Sequence, residues 1–298
     1  MRVCLVLVTW NRVNTLRETL HCIEKQNVRP VRVVIADNGS DDDTLKMLSD
    51  FKAFDVHVLE LAGNLGFAYG LSRGMEYAIE KFDEIDMFLL MDDDSHPSPG
   101  FLGALLLARE RVGKPGMICS IGLIDRFWKG PVVIFDDRDR ERRLISYDPR
   151  IYNVDHLLVD GALLDVEVVK SVGTLRDDFF MMCEDVEYSK RIKKAGFSIT
   201  VLEDSSIMER HHHGGGGKFS PSTLWRGYYH ARNHLVIVKK YFSLKSVLSY
   251  LIRQTKYLVA SLLARDRLQR IGLRLLGMYH GLTGKMGKRI DPKAFYEK

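Results

Sequence analysis

The sequence has little cysteine and no long apolar run, and each absence argues against a class of protein. Its four cysteines are widely separated and form no CxxC pair, which argues against zinc clusters and redox dithiols. Free thiols are typical of a reducing cytosol. No stretch approaches the apolar length of a membrane span, and the N-terminal MRVCLVLVTWNR is too short for a signal peptide. We therefore expect a cytoplasmic protein.

Acidic residues are almost missing from one part of the chain. Residues 239–289 contain twelve Lys or Arg and a single acid, Asp266, whereas the whole chain has a formal net charge of +5. The remainder is thus net acidic. This asymmetry predicts an anionic partner for the basic region, either a membrane surface or a nucleic acid. Nucleic acid is the weaker alternative, because the aromatic residues there do not interleave with the cations as a stacking platform requires.

Short apolar segments alternate with amphipathic ones in the first third of the chain. Predicted strands occupy residues 2–8, 31–36, 57–61 and 87–91. Predicted helices follow over residues 13–26, after DNGSDDDT, and from GNLGFAYG to about Lys81. Such alternation predicts an α/β fold with a parallel sheet and right-handed crossovers. Further along, an amphipathic helix is predicted over 184–196, and residues 222–282 are predicted to be helical in two or three pieces.

Each of the four predicted strands ends in a polar loop. These loops read TWNR, DNGSDDD, GNLGF and DDD. Because ligands of such sheets bind outside the carboxyl ends of the strands, the loops predict one shared site at that edge. The convergence is a stronger indication than any one loop.

Asp92, Asp93 and Asp94 follow the apolar strand directly, in the stretch FLLMDDDSHPSPG. Three adjacent carboxylates repel one another, and a turn needs only one of them. The first and third can converge on one divalent cation, and their hard oxygen ligands suit Mg²⁺ or Mn²⁺. Such a metal would in turn bind an anionic group such as a diphosphate. The alternative is a solvated turn with a helix cap.

Glu184 and Asp185 follow the apolar run FFMMC, at the start of the predicted helix. Partial burial there would raise the pKa of a carboxyl group, as a general base near neutral pH requires. Helix capping is the alternative explanation. A histidine of the segment 211–213 could complete a metal site. The alternatives for that segment are a flexible surface loop or a remnant of engineering.

Two further loops are candidates for contacts with a nucleotide. Asp37 and Asn38, after the second strand, could hold a nucleoside base or ribose, and the alternative is an Asx-turn. The glycines of GNLGFAYGLSRG let backbone approach a ligand, although their spacing is not the GxGxxG fingerprint. A tight turn is the alternative there.

Taken in order, these motifs resemble family 2 glycosyltransferases of the GT-A fold. The motifs are VTWNR, DNGSDDDT, NLGFAYG, LLMDDDSHPSP, DGALLDVEVVKSVG, EDVEYSKRIKKAGF and the histidine segment. The resemblance covers residues 2 to about 240. The forms MDDDSHPSP, CEDVEY and YYHARNHL are most similar to the galactofuranosyltransferase-like branch, and rhamnosyltransferases are near relatives.

The resemblance implies an α/β GT-A fold, which is a Rossmann-like, mostly parallel sheet flanked by helices, with a C-terminal helical extension. Residues 1–221 would form the catalytic domain, with a nucleotide-sugar half to about 115 and an acceptor half over 116–221. Residues 222–298 would form the basic helical region.

The resemblance also implies an inverting transfer from a nucleotide-diphospho-sugar and a role for each matching residue. Nucleotide-sugar contacts are expected from Thr9, Arg12, Asp37, Asn64 and Asp93. Mn²⁺ or Mg²⁺ would be held by Asp92, Asp94 and one histidine, with His211 favoured over His212 and His213 by the HxxG spacing. Asp185 would be the base, and Glu184 would contact the acceptor. Arg73 is out of register with the arginine of many relatives and is assigned no role.

UDP-galactofuranose is the favoured donor, and a rhamnosyltransferase using a dTDP-sugar is the alternative. The expected acceptor is a glycan hydroxyl in bacterial cell-surface polysaccharide synthesis, and a lipid-linked acceptor is left open. The protein would then work in the cytoplasm, with contact to the inner face of the membrane as one option. A homo-oligomer is also left open. The alternative from a different class is a metal-dependent nucleotide-sugar hydrolase or nucleotidyltransferase.

Overall fold

The computed structural model describes residues 1–113, 116–120, 122–124, 145–148, 151–202, 208–210 and 223–295. The strands are β1 (Val3–Thr9), β2 (Arg32–Asp37), β3 (His57–Glu60), β4 (Met87–Asp92), β5 (Ser95–Pro97), β6 (Gly116–Ser120), β7 (Gly122–Ile124), β8 (Ile145–Asp148), β9 (Ile151–Asn153), β10 (Ala162–Asp165), β11 (Ser198–Leu202) and β12 (Met208–Arg210). The α-helices are α1 (Val13–Glu24), α2 (Thr44–Asp50), α3 (Phe67–Lys81), α4 (Phe101–Val112), α5 (Val166–Val172), α6 (Glu184–Lys194), α7 (Leu224–Lys240), α8 (Leu244–Leu262) and α9 (Arg267–Thr283).

The first four strands form a parallel sheet in the order β3-β2-β1-β4, as the sequence predicts. β1 is buried along its whole length, which explains why its sequence VCLVLVT is almost wholly apolar. In the register of the sheet, Thr9 lies opposite Asp37, and Val8 lies opposite Asp92. The ends of β1, β2 and β4 therefore meet at one edge.

The second half of the sheet is mixed. The full order is β3-β2-β1-β4-β10-β6-β11-β9-β8, and β10 runs antiparallel to both of its neighbours. The apolar sequence LLVDGALLDVEVV predicts a strand in this region but not its direction, which depends on a long-range connection. A further strand predicted from VVIF, residues 132–135, lies outside the described residues. The predicted α/β fold is confirmed, with this antiparallel strand as a refinement.

Helices cover both faces of the sheet. Alternate residues of β1 point to opposite sides, so that Val6 and Val8 pack toward α3 while Leu5 and Leu7 belong to the core under α1 and α4. A Cβ atom at Gly74 would lie 2.5 Å from the Val6 side chain. The absence of a side chain there lets α3 lie close to β1.

The C-terminal region forms three helices, α7 to α9, as predicted. α7 places Trp225, Tyr228 and Tyr229 in a buried cluster with Phe180. α9 lies very close to α7, because a Cβ atom at Gly277 would be 2.3 Å from the Tyr228 carbonyl oxygen. The boundary predicted at residue 221 falls outside the described residues and stays a prediction. Within the described part of the chain, no helix is both long and apolar enough to cross a membrane.

Candidate active site

Residues that follow or end three strands make direct contact at the carboxyl edge of the parallel sheet. Thr9 Oγ1 donates a 2.9 Å hydrogen bond to Asp93 Oδ2, and the Asn38 backbone N–H donates to the Thr9 carbonyl. Thr9, Asp37 and Asp93 are all buried. The structure thus brings together the loops that the sequence predicted to converge.

The cluster of Asp92, Asp93 and Asp94 is not a solvated turn. Asp93 and Asp94 are only 5% and 6% exposed. Arg12 Nη1 donates to Asp93 Oδ1 at 2.8 Å and to Asp94 Oδ2 at 3.0 Å. Burial lowers the pKa of Arg12, but the Asp93 and Asp94 carboxylates outweigh that effect and raise it. Arg12 is therefore a permanent cation that partly neutralises the cluster.

The carboxyl group of Asp93 is strongly affected by its surroundings. Burial raises its pKa to about 6, opposed by the charge of Arg12; the charge of Asp94 adds to the increase, and hydrogen bonds from Thr9 and Arg12 oppose it. The Asp93 carbonyl also accepts a 2.7 Å hydrogen bond from Thr19 Oγ1. Asp93 is thus fixed by both its side chain and its backbone.

Asp160 positions the cluster, and sequence reasoning missed it. Its Oδ1 accepts from the Asp92 backbone N–H at 3.0 Å, and both of its oxygens accept from Ser95 Oγ at 2.8 Å. The available signal was a single acid in the apolar run LLVDGALL, which indicates a buried polar group in need of partners. Because those partners are 65 and 68 residues away in the chain, no local sequence pattern identifies them.

The donor types at Asp92 and Asp94 fit a hard divalent cation. One oxygen of Asp94 is engaged by Arg12, which leaves the other carboxylate oxygen for a different ligand. The predicted third ligand falls in 211–213, outside the described residues. In the part of the chain that is described, no group of three or more His, Cys, Asp or Glu is arranged to hold a metal. The strand that precedes the histidine segment ends at Arg210, whose Cα pairs with that of Ser95, next in sequence to Asp94.

The predicted nucleoside residues also shape their own loops. Asp37 Oδ2 accepts from the Ser40 backbone N–H at 2.9 Å, which is the Asx-type turn considered as the alternative for this residue. Asn64 Oδ1 accepts from the Gly66 N–H at 3.1 Å, at the start of α3. Asn38 Nδ2 donates to the Gly66 carbonyl, whereas its buried Oδ1 has no hydrogen-bond partner among the described residues.

Gly66 brings the nucleotide side of the sheet against the segment that precedes Glu184. Its φ of +103° is rare for residues with a side chain, and a Cβ atom there would lie 2.1 Å from the Phe180 carbonyl oxygen. The sequence predicted that glycines here let backbone approach a ligand. The close approach of Gly66 is instead to the backbone of Phe180.

Glu184 and Asp185 begin α6 and have separated pKa values. Burial, and then the neighbouring Asp185, raises the pKa of Glu184 to about 8. Burial raises the pKa of Asp185 to about 6, opposed by hydrogen bonds from the Val186 N–H and its own N–H. Glu184 is the more buried of the two, and its Oε2 has no hydrogen-bond partner among the described residues. Burial therefore moves the pKa of both carboxyl groups upward, in the direction that a general base near neutral pH requires.

The segment that leads into this acid pair is strained. Phe180, Met182 and Cys183 have positive φ angles of 65°, 75° and 67°. Each such angle costs about 1–3 kcal/mol for a residue with a side chain and persists only when the surroundings enforce it. Strain of this kind is concentrated at functional sites.

Two fully buried residues of α7, Arg232 and Asn233, hold this strained segment. Asn233 Nδ2 lies within 2.8–3.0 Å of three carbonyl oxygens, those of Phe179, Met181 and Met182. An Arg232 Nη2 hydrogen bond of 2.8 Å also reaches the Phe179 carbonyl. The sequence YYHARNHL pointed to this helix only through the family resemblance, because contacts more than 50 residues apart in the chain leave no local pattern.

We expect Asn233→Asp to slow turnover by about one to two orders of magnitude. The change keeps the size of the side chain but removes both donors, so that the buried carbonyls lose partners at a cost of about 1–3 kcal/mol. The loop should then relax and misplace Asp185. Turnover should fall with little change in the donor KM, as steady-state kinetics would measure.

The matched control is Leu105→Ala, a cavity substitution in α4 that should cost about 2–5 kcal/mol of stability without touching the loop. If Asn233→Asp acts only by lowering stability, it and Leu105→Ala should have the same turnover when both are assayed well below their melting temperatures. That outcome would contradict a positioning role for Asn233.

Comparison with known proteins agrees with the fold. Residues 4–148 match the family described as Glycosyl transferase family 2. The N-acetylglucosaminyl-diphospho-decaprenol L-rhamnosyltransferase of Mycobacterium tuberculosis is 23% identical, over 93% of this chain and 97% of the relative. The dTDP-rhamnosyl transferase RfbF of Shigella flexneri is 23% identical, over 95% of this chain and 96% of the relative.

A solved structure shares the fold. The mannosyltransferase PcManGT of Pyrobaculum calidifontis, in complex with GDP-Man and Mn²⁺, superposes with a TM-score of 0.56 at 13% identity. The match covers 95% of this chain and 88% of that one. It supports the GT-A architecture that the resemblance implied. Residues 4–148, which include β1 to β4 and the acid cluster at their edge, are therefore similar to a family 2 glycosyltransferase domain, and the chain is a glycosyltransferase.

Proposed function

We propose that this glycosyltransferase moves rhamnose from a dTDP-activated donor to a hydroxyl group of a lipid-linked glycan, with inversion at the anomeric carbon. The names of the two relatives favour rhamnose, dTDP and a diphospho-polyprenol acceptor. The motifs of the sequence favoured galactofuranose, for which the comparisons give no support. The observation that carries the proposal is the acid pair Glu184–Asp185, whose strained loop touches the nucleotide side at Gly66.

In this proposal the strand edge holds the donor. Thr9, Asp37 and Asn64 would contact the nucleoside from the ends of β1, β2 and β3, and Asp93 would lie near the ribose. Arg12 would reduce the repulsion between the buried carboxylates and an anionic donor, because its guanidinium already bonds both Asp93 and Asp94.

Asp92 and Asp94 would hold Mn²⁺ or Mg²⁺, and the neighbouring histidine segment would supply the third protein ligand. His211 is the favoured residue, since it directly follows Arg210, which pairs with Ser95 beside Asp94. His212 and His213 are the alternatives. Such a metal ion stabilises the charge of a departing diphosphate.

On the acceptor side, two carboxyl groups would have two roles. Asp185 would take the proton of the acceptor hydroxyl as that oxygen attacks the anomeric carbon. Glu184, whose Oε2 has no hydrogen-bond partner among the described residues, would hydrogen-bond the acceptor. A single displacement needs no second nucleophilic carboxylate and inverts the anomeric centre.

We expect a clear preference between donors when dTDP-rhamnose and UDP-galactofuranose are compared with the same polyprenyl-diphospho-N-acetylglucosamine acceptor. A site that hydrogen-bonds one sugar and nucleotide should discriminate by at least about two orders of magnitude. Product mass distinguishes a deoxyhexose from a hexose. Transfer of galactofuranose in preference to rhamnose would refute the donor assignment and restore the interpretation that the sequence motifs favoured.

The same assay separates transfer from hydrolysis. An enzyme that releases nucleotide at equal rates with and without acceptor would be the hydrolase of the alternative hypothesis. The proposed transferase should release nucleotide mainly when acceptor is present. The cytoplasmic location and a homo-oligomer remain predictions from the sequence.

A further inference from the structure

α8 is built with its polar side inward and its apolar side outward. The outward residues recur at helical spacing and are between 49% and 81% exposed: Leu244, Leu248, Leu251, Ile252, Val259 and Leu262. Ser246, Tyr250, Gln254 and Ser261 are the residues that it buries. A helix that packs on a protein core shows the opposite arrangement.

α9 has the same inverted pattern. Its exposed side carries Leu268, Leu275, Leu276, Tyr279 and Leu282. Its buried residues are Arg270, Gly277 and Gly281. Arg274 Nη1 donates to Gln254 Oε1 at 3.1 Å, so a polar contact joins α8 and α9. We call the outward residues of both helices the apolar face.

The apolar face is unusual for this chain as well as for soluble proteins in general. Thirteen of the eighteen exposed large hydrophobic residues in the described part of the chain lie between residues 242 and 282. Apolar surface in water costs about 25 cal/mol for each Å². Contiguous patches of this kind mark an interaction site.

Charge selects the partner. Asp266 is the single acid of residues 239–289, and it is paired with Arg270. Lys256, Arg265 and Arg267 are exposed on the same two-helix unit. If a second copy of the chain covered the apolar face, like charges would meet with no acid to balance them. An anionic lipid surface supplies both the apolar layer and the balancing charge.

We propose that the apolar face of α8 and α9 docks into the headgroup region of an anionic lipid bilayer, with both helices lying in the plane of the membrane. This inference is independent of the donor sugar. It has a consequence for the site, because α9 contacts α7 at Gly277 and Gly281, and α7 carries the Arg232–Asn233 pair that holds the base loop. Docking would thus hold Asp185 at a fixed distance from the membrane surface. A fixed distance suits an acceptor whose lipid is anchored in the same membrane.

The test is co-sedimentation of the full-length chain with vesicles of equimolar phosphatidylglycerol and phosphatidylcholine. Wild type should sediment with these vesicles at low salt, and high salt should reduce the bound fraction, since exposed charges are screened. Vesicles of phosphatidylcholine alone should bind the protein more weakly, by at least about fivefold for each Lys or Arg that lies at the anionic surface. An intact chain that stays in the supernatant at low salt would overturn the proposal.

Substitutions on exposed positions separate docking from folding. The double variant Leu248→Asp/Leu275→Asp should bind anionic vesicles at least about tenfold more weakly than wild type. The matched control is Leu107→Asp, since Leu107 is 61% exposed but lies on α4, away from the apolar face. Equal binding by the double variant and wild type would refute the proposal.

Light scattering of the same proteins tests the alternative that a second copy of the chain covers the apolar face. If the chain is a dimer without lipid and Leu248→Asp/Leu275→Asp makes it a monomer, while vesicle binding is unchanged, then the apolar face is an interface between copies. The proposal predicts that the oligomeric state of the two proteins is the same. Because these measurements use no sugar donor, their failure is distinguishable from failure of the proposed function.

Discussion

Replacing Asp185 with asparagine is expected to lower sugar transfer by about two to four orders of magnitude. Asparagine keeps the size of the side chain and cannot accept the proton of the acceptor hydroxyl. The strained loop should stay in place, because its hydrogen bonds to Arg232 and Asn233 involve other residues. Donor binding, measured by calorimetry, should therefore be retained. Transfer at a near wild-type rate would show that another group is the base.

The pH dependence gives the same assignment a second test. Burial raises the pKa of Asp185 to about 6, and a base acts only when it is ionised. Turnover should therefore be high above pH of about 6 and fall about tenfold for each unit below it. In Glu184→Gln, turnover should still fall below a pH of about 6, because the pKa of Asp185 is raised mainly by its burial. If turnover of Glu184→Gln no longer falls in this pH range, the base is Glu184 instead.

Removal of the divalent cation is the second large effect that we expect. EDTA should abolish transfer, and added Mn²⁺ or Mg²⁺ should restore it. Asp92→Asn and Asp94→Asn should each lower turnover by about two to three orders of magnitude, the usual effect of removing a group that stabilises developing charge. Calorimetric titration of Mn²⁺ in the presence of a nucleoside diphosphate should show weaker metal binding in both variants, which is a readout besides activity.

The chain contains its own control for this experiment. Asp41, Asp42 and Asp43 form a second run of three aspartates after a strand, but they are exposed. Asp43→Asn should leave both metal binding and turnover unchanged. Full activity of the wild type in EDTA, or equal losses in Asp43→Asn and Asp92→Asn, would contradict a metal site at the end of β4.

These two runs show how far local sequence determines structure. Both consist of three aspartates after an apolar strand, yet only Asp92–Asp94 are drawn into the protein. The difference comes from Arg12 and Asp160, which contact the run Asp92–Asp94 from other elements. The sequence indicated this run because it directly follows a fully apolar strand, but it could not identify the partners that make burial of the carboxylates tolerable.

Elements with strong local signals were predicted well. The strands and helices of the first ninety residues depend on short-range periodicity, and the observed bounds of β1 to β4 differ from the prediction by one residue at most at each end. β10 shows the limit of this approach. Its direction depends on how the chain returns to β4, and no pattern within the residues Ala162–Asp165 encodes that.

The C-terminal helices illustrate a different limit. Their apolar stripes and cations fit two interpretations equally, a pair of helices on a membrane surface and an ordinary helix pair packed on the catalytic domain. The structure favours the first, since the helices bury Ser246, Gln254 and Gly277 and expose their leucines. Which side of an amphipathic helix faces inward depends on what the neighbouring helix α7 offers, and that is tertiary information.

The central claim is an inverting transfer in which Asp185 is the base. The most direct test is the configuration of the product. The full-length enzyme should be incubated with Mn²⁺, an acceptor and whichever nucleotide-sugar it accepts, and the anomeric configuration of the new glycosidic bond determined by NMR. We predict that the anomeric centre is inverted relative to the donor in every product molecule. Retention of the donor configuration would require a second nucleophile and would contradict the account.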